Sequence, residues 1–101
     1  MIFVDGLAQR RTIWSGDLAA HMVSDTSLAE LKAFAEALRL PQYWLQPLVV
    51  PHYELSPMWR VRALRAGAVD CSGLDRQAEY LAALRRYAEN NPAVFRQARA
   101  R

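Results

Sequence analysis

The sequence predicts a small single-domain α/β fold, in which a sheet of about four strands is combined with three to four helices. The chain has 101 residues, which is enough for one domain with one core. Short apolar runs alternate with stretches of helical periodicity, and Gly or Pro marks most of the boundaries. This alternation predicts parallel pairs of strands that are joined by helical crossovers.

The predicted elements cover most of the chain, and each depends on a local signal in the residues. In chain order they are strands over 1–5 and 20–24, a helix over 28–39, a strand over 48–55, a helix over 57–66, a strand over 68–72, a helix over 74–89 and a last short helix over 93–101, with loops over 7–19 and 40–48.

In the first half of the chain the signals lie at strand ends and helix starts. The opening apolar run ends at Asp5 and a following glycine, which is typical of a strand that enters a turn. Ser27 and Glu30 have the spacing of a capping box, so a helix is expected to begin directly after Ser27. Leu31 and Phe34 then belong to an apolar stripe with helical spacing, which predicts that both side chains pack inward.

In the second half of the chain proline and glycine mark the elements. Pro51 interrupts the third predicted strand, which indicates an edge strand or a bulge. Ser56 followed by Pro57 is typical of the start of a helix, and Gly67 suits its left-handed end. Pro92 ends the next helix.

Composition excludes several classes of protein. The hydrophobic fraction is 52% and the charged fraction 23%, which is typical of a globular domain rather than a disordered chain. Prolines interrupt the longest uncharged run, no secretion leader is visible, and the lone Cys71 forms no internal disulfide. We therefore expect a cytoplasmic protein with no membrane partner, and the sequence requires no cofactor. The common nucleotide-binding and hydrolase motifs are absent.

The basic charge is concentrated in the C-terminal part of the sequence. Residues 76–101 contain 6 arginines and 2 glutamates, whereas residues 1–75 contain 7 basic and 8 acidic residues. Arginines can contact the phosphates of nucleic acid, but a solvated helix face explains the same pattern, and the net charge of the chain is only +3. Nucleic-acid binding is therefore an alternative rather than the main expectation.

Polar residues follow the predicted strands where the chain enters a loop or a helix. In an open α/β sheet, ligands bind beyond the carboxyl ends of the strands, where helix N-termini also offer N–H groups to anions. A small phosphorylated ligand or nucleotide suits such an edge, with arginines to neutralise its charge. The expected ligand-binding residues are Asp5, Asp25, Thr26, Ser27, Tyr53, Arg60 and Arg62.

The two histidines are the expected catalytic residues. His21 and His52 lie in predicted strands, and on adjacent strands their rings would be neighbours that exchange protons near neutral pH. The alternative is that each is a structural, hydrogen-bonded histidine. If a metal binds, the expected ligands are Asp5, His21 and Asp25, although His21 and Asp25 lie about 13 Å apart in an extended strand.

Three segments of the chain carry a family resemblance. Residues 21–27 (HMVSDTS), 52–55 (HYEL) and 66–69 (AGAV) are similar in sequence to the short bacterial and phage proteins classed as domain of unknown function 4031. The first strand of these proteins also ends in aspartate, as Asp5 does here. The activity of this family is not established, so the resemblance implies a fold and a set of positions rather than a reaction.

The resemblance covers about residues 1–72. It implies a family-like α/β core over 1–75, with a basic helical extension over 76–101 packed on the same domain. Lys32 and Glu54 depart from the histidine and aspartate that relatives often carry. Some related proteins join this domain to a phosphohydrolase-like domain, which implies a nucleotide or nucleic-acid context. The motif positions to which the resemblance draws attention are His21, Asp25, His52 and Tyr53.

Three functions are compatible with these observations. The first is a small domain that binds a phosphate-bearing, nucleotide-like ligand at the strand ends, with or without hydrolytic turnover. The second is a non-enzymatic bacterial or phage protein that binds a host protein or sequesters a ligand. The third is nucleic-acid binding through the arginine-rich C-terminal part. The sequence does not name a reaction.

Overall fold

The computed structural model describes residues 1–9, 18–47 and 50–93, which form a mixed α/β domain. The strands are β1 (Ile2–Asp5), β2 (Ala8–Gln9), β3 (Leu18–Ser24), β4 (Leu45–Gln46), β5 (His52–Leu55) and β6 (Val69–Cys71). The helices are α1 (Leu28–Leu38), α2 (Pro57–Arg65) and α3 (Gln77–Asn90), with 3₁₀ turns at Gln42–Trp44 and Leu74–Arg76. The predicted fold class is confirmed. No helix within these ranges is long and apolar enough to cross a lipid bilayer.

Most element boundaries agree with the sequence prediction. The helices expected over 28–39 and 57–66, and the strands expected over 20–24 and 68–72, are found within two residues of their predicted ends. The loop predicted over 7–19 is wrong in its described residues, because they include β2 and the first residues of β3. The middle of this loop, the start of the strand over 48–55 and nearly all of the helix over 93–101 lie outside the described residues.

The strands form one sheet with the order β4-β5-β3-β1-β6, and β2 also pairs with β3. β1 and β6 run parallel, with Val4 opposite Asp70. β3 is antiparallel to both of its long neighbours, with Met22 opposite Val4 on one side and Tyr53 on the other. The expectation of parallel pairs is therefore right for β1 and β6 and wrong for β3 and β5.

The short strand β4 explains the antiparallel pairing of β3 and β5. After β3, helix α1 returns the chain to the end of the sheet at which β3 begins. A strand that followed α1 directly would run parallel to β3. Instead β4 follows α1 and runs in the same direction as β3. β5 then pairs antiparallel with β4 and therefore runs opposite to β3. The sequence predicts a loop over 40–48, which is wrong for the residues of β4.

The strand directions divide the predicted polar edge into two. β1, β5 and β6 end at one edge, which we call the carboxyl edge, whereas β3 ends at the opposite edge. Asp5 therefore lies at the carboxyl edge. Asp25, Thr26 and Ser27 follow β3 at the opposite edge, so the expectation of one shared edge is wrong for these three residues.

The two faces of the sheet carry different helices, because alternate residues of a strand point to opposite faces. Val4 packs on the side of α1 and α2, together with Leu31 and Ala63. Phe3 packs on the other side, together with Ala83 of α3. The larger cluster, on the α1 and α2 side, contains Ile2, Val4, Ala20, Met22, Leu31, Ala35, Leu40, Tyr53, Leu55, Ala63 and Ala68.

Helix ends follow the expected capping chemistry with one difference. The Ser27 hydroxyl accepts the Glu30 N–H at 3.1 Å, as predicted for an N-cap. The second half of the capping box is replaced, because the Ser27 N–H donates to the Ser24 hydroxyl instead. Gly67 follows α2 with φ +106°, a conformation that favours glycine. Arg39 adopts φ +64° at the end of α1, which costs a non-glycine residue about 1–2 kcal/mol.

Candidate functional site

Four side chains form a row across the sheet at its carboxyl edge, one from each of β6, β1, β3 and β5. The register places Cys71 opposite Asp5. It places Glu54 opposite His21. The backbone N–H of His21 donates to Asp5 Oδ1 at 2.6 Å. Phe3 faces α3, so Asp5, two residues later, and its neighbours lie on the same side. We call Cys71, Asp5, His21 and Glu54 the polar row.

His52 lies beside the polar row on the same face, because it precedes Glu54 by two residues. Its ring centroid is 4.5 Å from that of His21, with the ring planes at 44°, so the predicted neighbourhood of the two rings is confirmed. His52 Nδ1 lies 3.0 Å from the Val50 carbonyl oxygen. A carbonyl only accepts hydrogen bonds, so Nδ1 carries the proton and Nε2 presents a lone pair. Catalytic roles for His21 and His52 stay predictions.

Glu54 contributes a carboxylate whose Oε2 is buried and has no hydrogen-bond partner among the described residues. A buried acceptor without a donor destabilises the fold by about 1–3 kcal/mol. A ligand that donates a hydrogen bond to this oxygen removes that penalty, so the bond contributes more to binding than the same bond at an exposed oxygen. The family resemblance marks Glu54 only as a departure from the pattern of relatives. Its two-residue spacing from His52 was the signal that both side chains share a face.

A cleft of about 460 Å³ lies over the Cys71 and Asp5 end of the polar row. This volume is within the range of small-molecule sites. Its walls are largely apolar, and the described residues that line it include no lysine or arginine. The lining residues are Asp5, Gly6, Leu7, Ala8, Cys71, Gly73, Leu74, Gln77, Tyr80 and Leu81. We refer to it as the cleft.

Cys71 is a buried thiol at the floor of the cleft. Burial, together with the nearby Glu79 carboxylate, raises the pKa of the Cys71 thiol. The neutral thiol is a weak nucleophile, so the burial of Cys71 favours a packing role for this side chain over covalent chemistry. Sequence reasoning missed Gln77 and Tyr80 as cleft residues, because only the pairing of β1 with β6 brings the start of α3 over Asp5.

Arg60 fastens α2 to the carboxyl edge. Its Nε donates to the Asp5 carbonyl at 2.9 Å, and a terminal nitrogen donates to Asp70 Oδ1 at 2.7 Å. The backbone N–H of Ser72 donates to the same Asp70 oxygen at 2.9 Å. Hydrogen bonds from the side chain and backbone of Ser72 hold the pKa of the Asp70 carboxyl below its usual value, and the Arg60 guanidinium adds a smaller effect in the same direction. Arg60 therefore holds the backbone of Asp5 in place from helix α2. The expected contact of Arg60 with a ligand stays a prediction.

Tyr53 and Arg62 lie on the other side of the sheet from the polar row. Tyr53 is 2% exposed within the larger core cluster, and burial, with a contribution from Glu36, raises the pKa of its hydroxyl. The Arg62 guanidinium lies 4.7 Å from the centroid of the Trp59 ring. The structure brings neither residue to the histidine pair.

Asp25 belongs to a network at the opposite edge. It accepts hydrogen bonds from the Met1 amino group at 2.9 Å, from Arg86 Nε at 3.0 Å and from the Thr26 hydroxyl at 2.9 Å. Burial opposes the ionisation of Asp25, but these donors outweigh it, so the pKa of the carboxyl lies below its usual value. Asp25 therefore ties β1, β3 and α3 together.

The end of α3 reaches the same edge. The side-chain amides of Asn90 and Asn91 donate to the carbonyls of Asp25 and Thr26 at 3.1 and 3.0 Å. Ser27 caps α1, as described above. The structure thus gives Asp25, Thr26 and Ser27 structural partners, and a ligand-binding role for them stays a prediction.

The residues expected to hold a metal are not brought together. Asp5 and His21 are neighbours, but Asp25 lies at the opposite edge of the sheet. In the described part of the chain, no group of three His, Cys, Asp or Glu side chains is arranged to hold a metal ion.

The fold and the site define a small mixed α/β domain with a histidine pair and a cleft on one face of the sheet. Residues 2–86 match a family model described as Protein of unknown function (DUF4031), and the chain belongs to this family. The match includes the whole polar row and extends into α3, beyond residue 72 where the resemblance in the sequence ended. No curated protein and no solved structure gives a significant match.

Proposed function

We propose that this domain binds a small ligand at the polar row and moves a proton to or from it, with His52 Nε2 as the accepting atom. The observation that carries this proposal is the contact of two imidazoles at 4.5 Å on adjacent strands. The Val50 carbonyl holds the His52 proton on Nδ1, which leaves Nε2 as the base. Histidine is the side chain suited to proton transfer near neutral pH.

The surroundings of His52 support this role. When Nε2 accepts a proton, the His21 ring beside it tends to stay neutral, because a second positive charge so close is unfavourable. The Glu54 side chain lies on the same face of β5 as His52. His21 is held in place by its backbone hydrogen bond to Asp5. Both rings are partly exposed, so a ligand can approach them.

The charges around the histidine pair favour some ligands over others. A phosphate-bearing ligand, as expected from the sequence, would meet the carboxylates of Asp5 and Glu54, while the Arg60 guanidinium is engaged by Asp70. At the histidine pair itself, a protonated imidazole would oppose its charge. A ligand group that is uncharged or donates hydrogen bonds fits this site better, and hydrolytic turnover remains compatible with it.

Binding without turnover is the second candidate function, and exposed leucines favour it. Leu7, Leu74 and Leu81 line the cleft and are 41%, 86% and 59% exposed. Such an apolar rim suits the capture of a ligand or of a host protein. Nucleic-acid binding has less support, because Arg76 is paired with Glu79 and Arg86 with Asp25.

The test is hydrolysis of p-nitrophenyl acetate, p-nitrophenyl phosphate and nucleoside 5′-monophosphates by the parent and by variants. His52→Gln removes the base, and Glu54→Gln removes the carboxylate beside it. Glu36→Gln makes the same chemical change on the other side of the sheet and is the matched control. We expect turnover of at least one compound, reduced about 100-fold or more by His52→Gln, as for the loss of a general base.

Two results would contradict the proposal. Equal rates for the parent and His52→Gln would show that the imidazole is not the base. A parent that turns over none of these compounds, but binds one of them, would favour the sequestering function.

A further inference from the structure

We propose that the outer face of helix α2 docks an acidic segment of a partner protein that also carries aliphatic side chains. This face consists of Met58, Val61, Arg62 and Arg65, which are all exposed and recur at helical spacing. We call these four residues the α2 stripe. Ala63 anchors α2 on the side of the sheet opposite to the polar row, so this inference does not depend on the proposed function.

Two residues of the α2 stripe are apolar but lie in solvent. Met58 is 58% exposed and Val61 is 47% exposed. The hydrophobic effect favours the transfer of such side chains to an apolar partner surface, and methionine adapts its shape to the surface it meets. Isolated exposed apolar residues are ordinary, but these two lie three positions apart on one helix face and adjoin an aromatic cluster.

The aromatic cluster extends the surface beyond α2. The rings of Trp59 and Trp44 are in T-shaped contact with their centroids 6.0 Å apart, and Tyr43 contacts Trp44 in the same way at 6.2 Å. Tyr43 is exposed, whereas the two tryptophans are partly buried. Tryptophan, tyrosine, methionine and arginine are residue types that are enriched in protein interfaces or in their energetic hot spots. The composition of this surface is therefore that of a protein interface.

The charge of α2 favours an acidic partner. The helix contains three arginines and no acidic residue. Arg60 is paired with Asp70 at 2.7 Å, but Arg62 and Arg65 form no ion pair with a described residue. Outside the described ranges the sequence holds one acidic residue, Asp17, and five arginines, so that part of the chain adds more positive than negative charge.

The carboxylates of the neighbouring helix α1 have other surroundings. Glu30 pairs with the Met1 amino group at 2.7 Å. Glu36 lines a small pocket together with Lys32 and Tyr53. Carboxylates from another molecule are therefore the natural counter-charges for the two arginines of the α2 stripe, and each such pair stabilises the complex modestly.

Two other anionic partners match this surface less well. Bases of single-stranded nucleic acid stack on open faces of successive aromatic rings. Here the Arg62 guanidinium lies over the Trp59 ring at 4.7 Å, and the planes of Trp59 and Trp44 are perpendicular. A lipid surface takes up a long apolar helix face, whereas the nine residues of α2 expose only Met58 and Val61 as large apolar side chains.

The α2 stripe also has a direction. Met58 and Val61 come first along the helix, and Arg65 lies in its last turn. The distance along the axis from Met58 to Arg65 is about 10 Å at 1.5 Å per residue. A partner segment of about two helical turns spans this distance, with aliphatic side chains over Met58 and carboxylates over Arg65. An interface of this size belongs to the weak, transient class.

The experiment uses a synthetic helical peptide of glutamate and leucine as the probe, and a second peptide in which glutamine replaces glutamate. Binding is followed by amide chemical shifts in NMR spectra of the full chain. Arg65→Glu reverses a charge of the α2 stripe, and Arg85→Glu is the matched control at an exposed arginine of α3. Met58→Ser removes the apolar anchor, and Leu81→Ser is its control, because Leu81 is equally exposed on the other side of the sheet.

We expect the glutamate peptide to shift the resonances of α2 and of Tyr43, and its binding to weaken as salt is added. Arg65→Glu and Met58→Ser should each lower its affinity about fivefold, as expected for the loss of one surface contact. Arg85→Glu and Leu81→Ser should bind it as the parent does. The glutamine peptide should also bind about fivefold more weakly than the glutamate peptide.

The inference is overturned if the glutamate peptide shifts no α2 resonance at millimolar concentration, or if Arg65→Glu binds it as tightly as the parent does. It is equally overturned if a single-stranded oligonucleotide, or vesicles of phosphatidylserine and phosphatidylcholine in equal parts, perturbs α2 at a lower concentration than the peptide. The spectrum of each variant shows whether it folds, and Arg62→Gln replaces Arg65→Glu if that variant does not.

Discussion

The Val50 carbonyl determines which nitrogen of His52 is available, because it accepts the Nδ1 proton at 3.0 Å. The sequence cannot show this contact, since it depends on how the chain bends two residues before His52. Alternation along β5 then places Glu54 on the same face, and the register with β3 adds His21. Three neighbouring side chains with proton-transfer chemistry thus come from one pair of strands.

The contact between the histidine rings predicts coupled titrations. Two imidazoles 4.5 Å apart disfavour a double positive charge, so their protonation steps belong to the pair. Removal of His52 by His52→Gln should move the titration midpoint of the His21 ring to higher pH, because a repulsive neighbour is lost. An NMR pH titration of parent and variant measures the shift. An unmoved midpoint would mean that the two rings are independent structural residues.

At the scale of elements, α1 shows how far helical periodicity predicts packing. The stripe included Leu31 and Phe34, and both do face the sheet side of α1. Leu31 is fully buried, whereas Phe34 is only partly buried against the larger cluster. Periodicity places a residue on a face, but the depth of burial depends on what packs over it.

This difference gives a stability prediction for α1. Leu31→Ala should lower the free energy of unfolding by about 2–5 kcal/mol, as expected for a buried leucine. Phe34→Ala should cost less than the ~3–5 kcal/mol of a fully buried phenylalanine. Leu81→Ala, at a leucine that is 59% exposed, serves as the control and should change little. Urea unfolding measures all three, and a Leu31→Ala variant as stable as the parent would contradict the core assignment.

The sequence did not reveal the two-residue strands β2 and β4. Leu45 and Gln46 lie between an aromatic pair and a proline, and two residues carry no periodicity. Yet this strand reverses the direction of the chain before β5. The capping residues and apolar runs therefore predicted most helices and strands, but the direction of β5 depended on β4. Asp25 lies at the opposite edge from Asp5 for a different reason, because β1 and β3 pair antiparallel.

At the scale of the whole molecule, the carboxylates predict loss of stability in acid. The pKa values of Asp25 and Asp70 are lowered in the folded chain, so their contributions are fully present above the unfolded value of about 3.9. They are lost as the pH falls through the lower folded values. The stability advantage of the parent over Asp25→Asn should therefore be present at pH 7 and smaller at about pH 2.

Urea unfolding of parent and variant at the two pH values tests this prediction. Glu89→Gln is the control, because Glu89 is exposed on α3, and its difference from the parent should be small throughout. A difference between parent and Asp25→Asn that is the same at both pH values would show that ionisation of Asp25 does not stabilise the fold.

The position of β1 between β3 and β6 has a consequence for synthesis on the ribosome. β1 pairs with β3 once residue 24 has emerged, but its other partner begins at residue 69. At about 5–20 residues per second, the intervening residues take roughly 2–9 s to make. During that interval one side of β1, with Phe3 and Val4, is an unpaired apolar edge that neighbouring nascent chains can join. β6 ends this exposure when it is translated and docks.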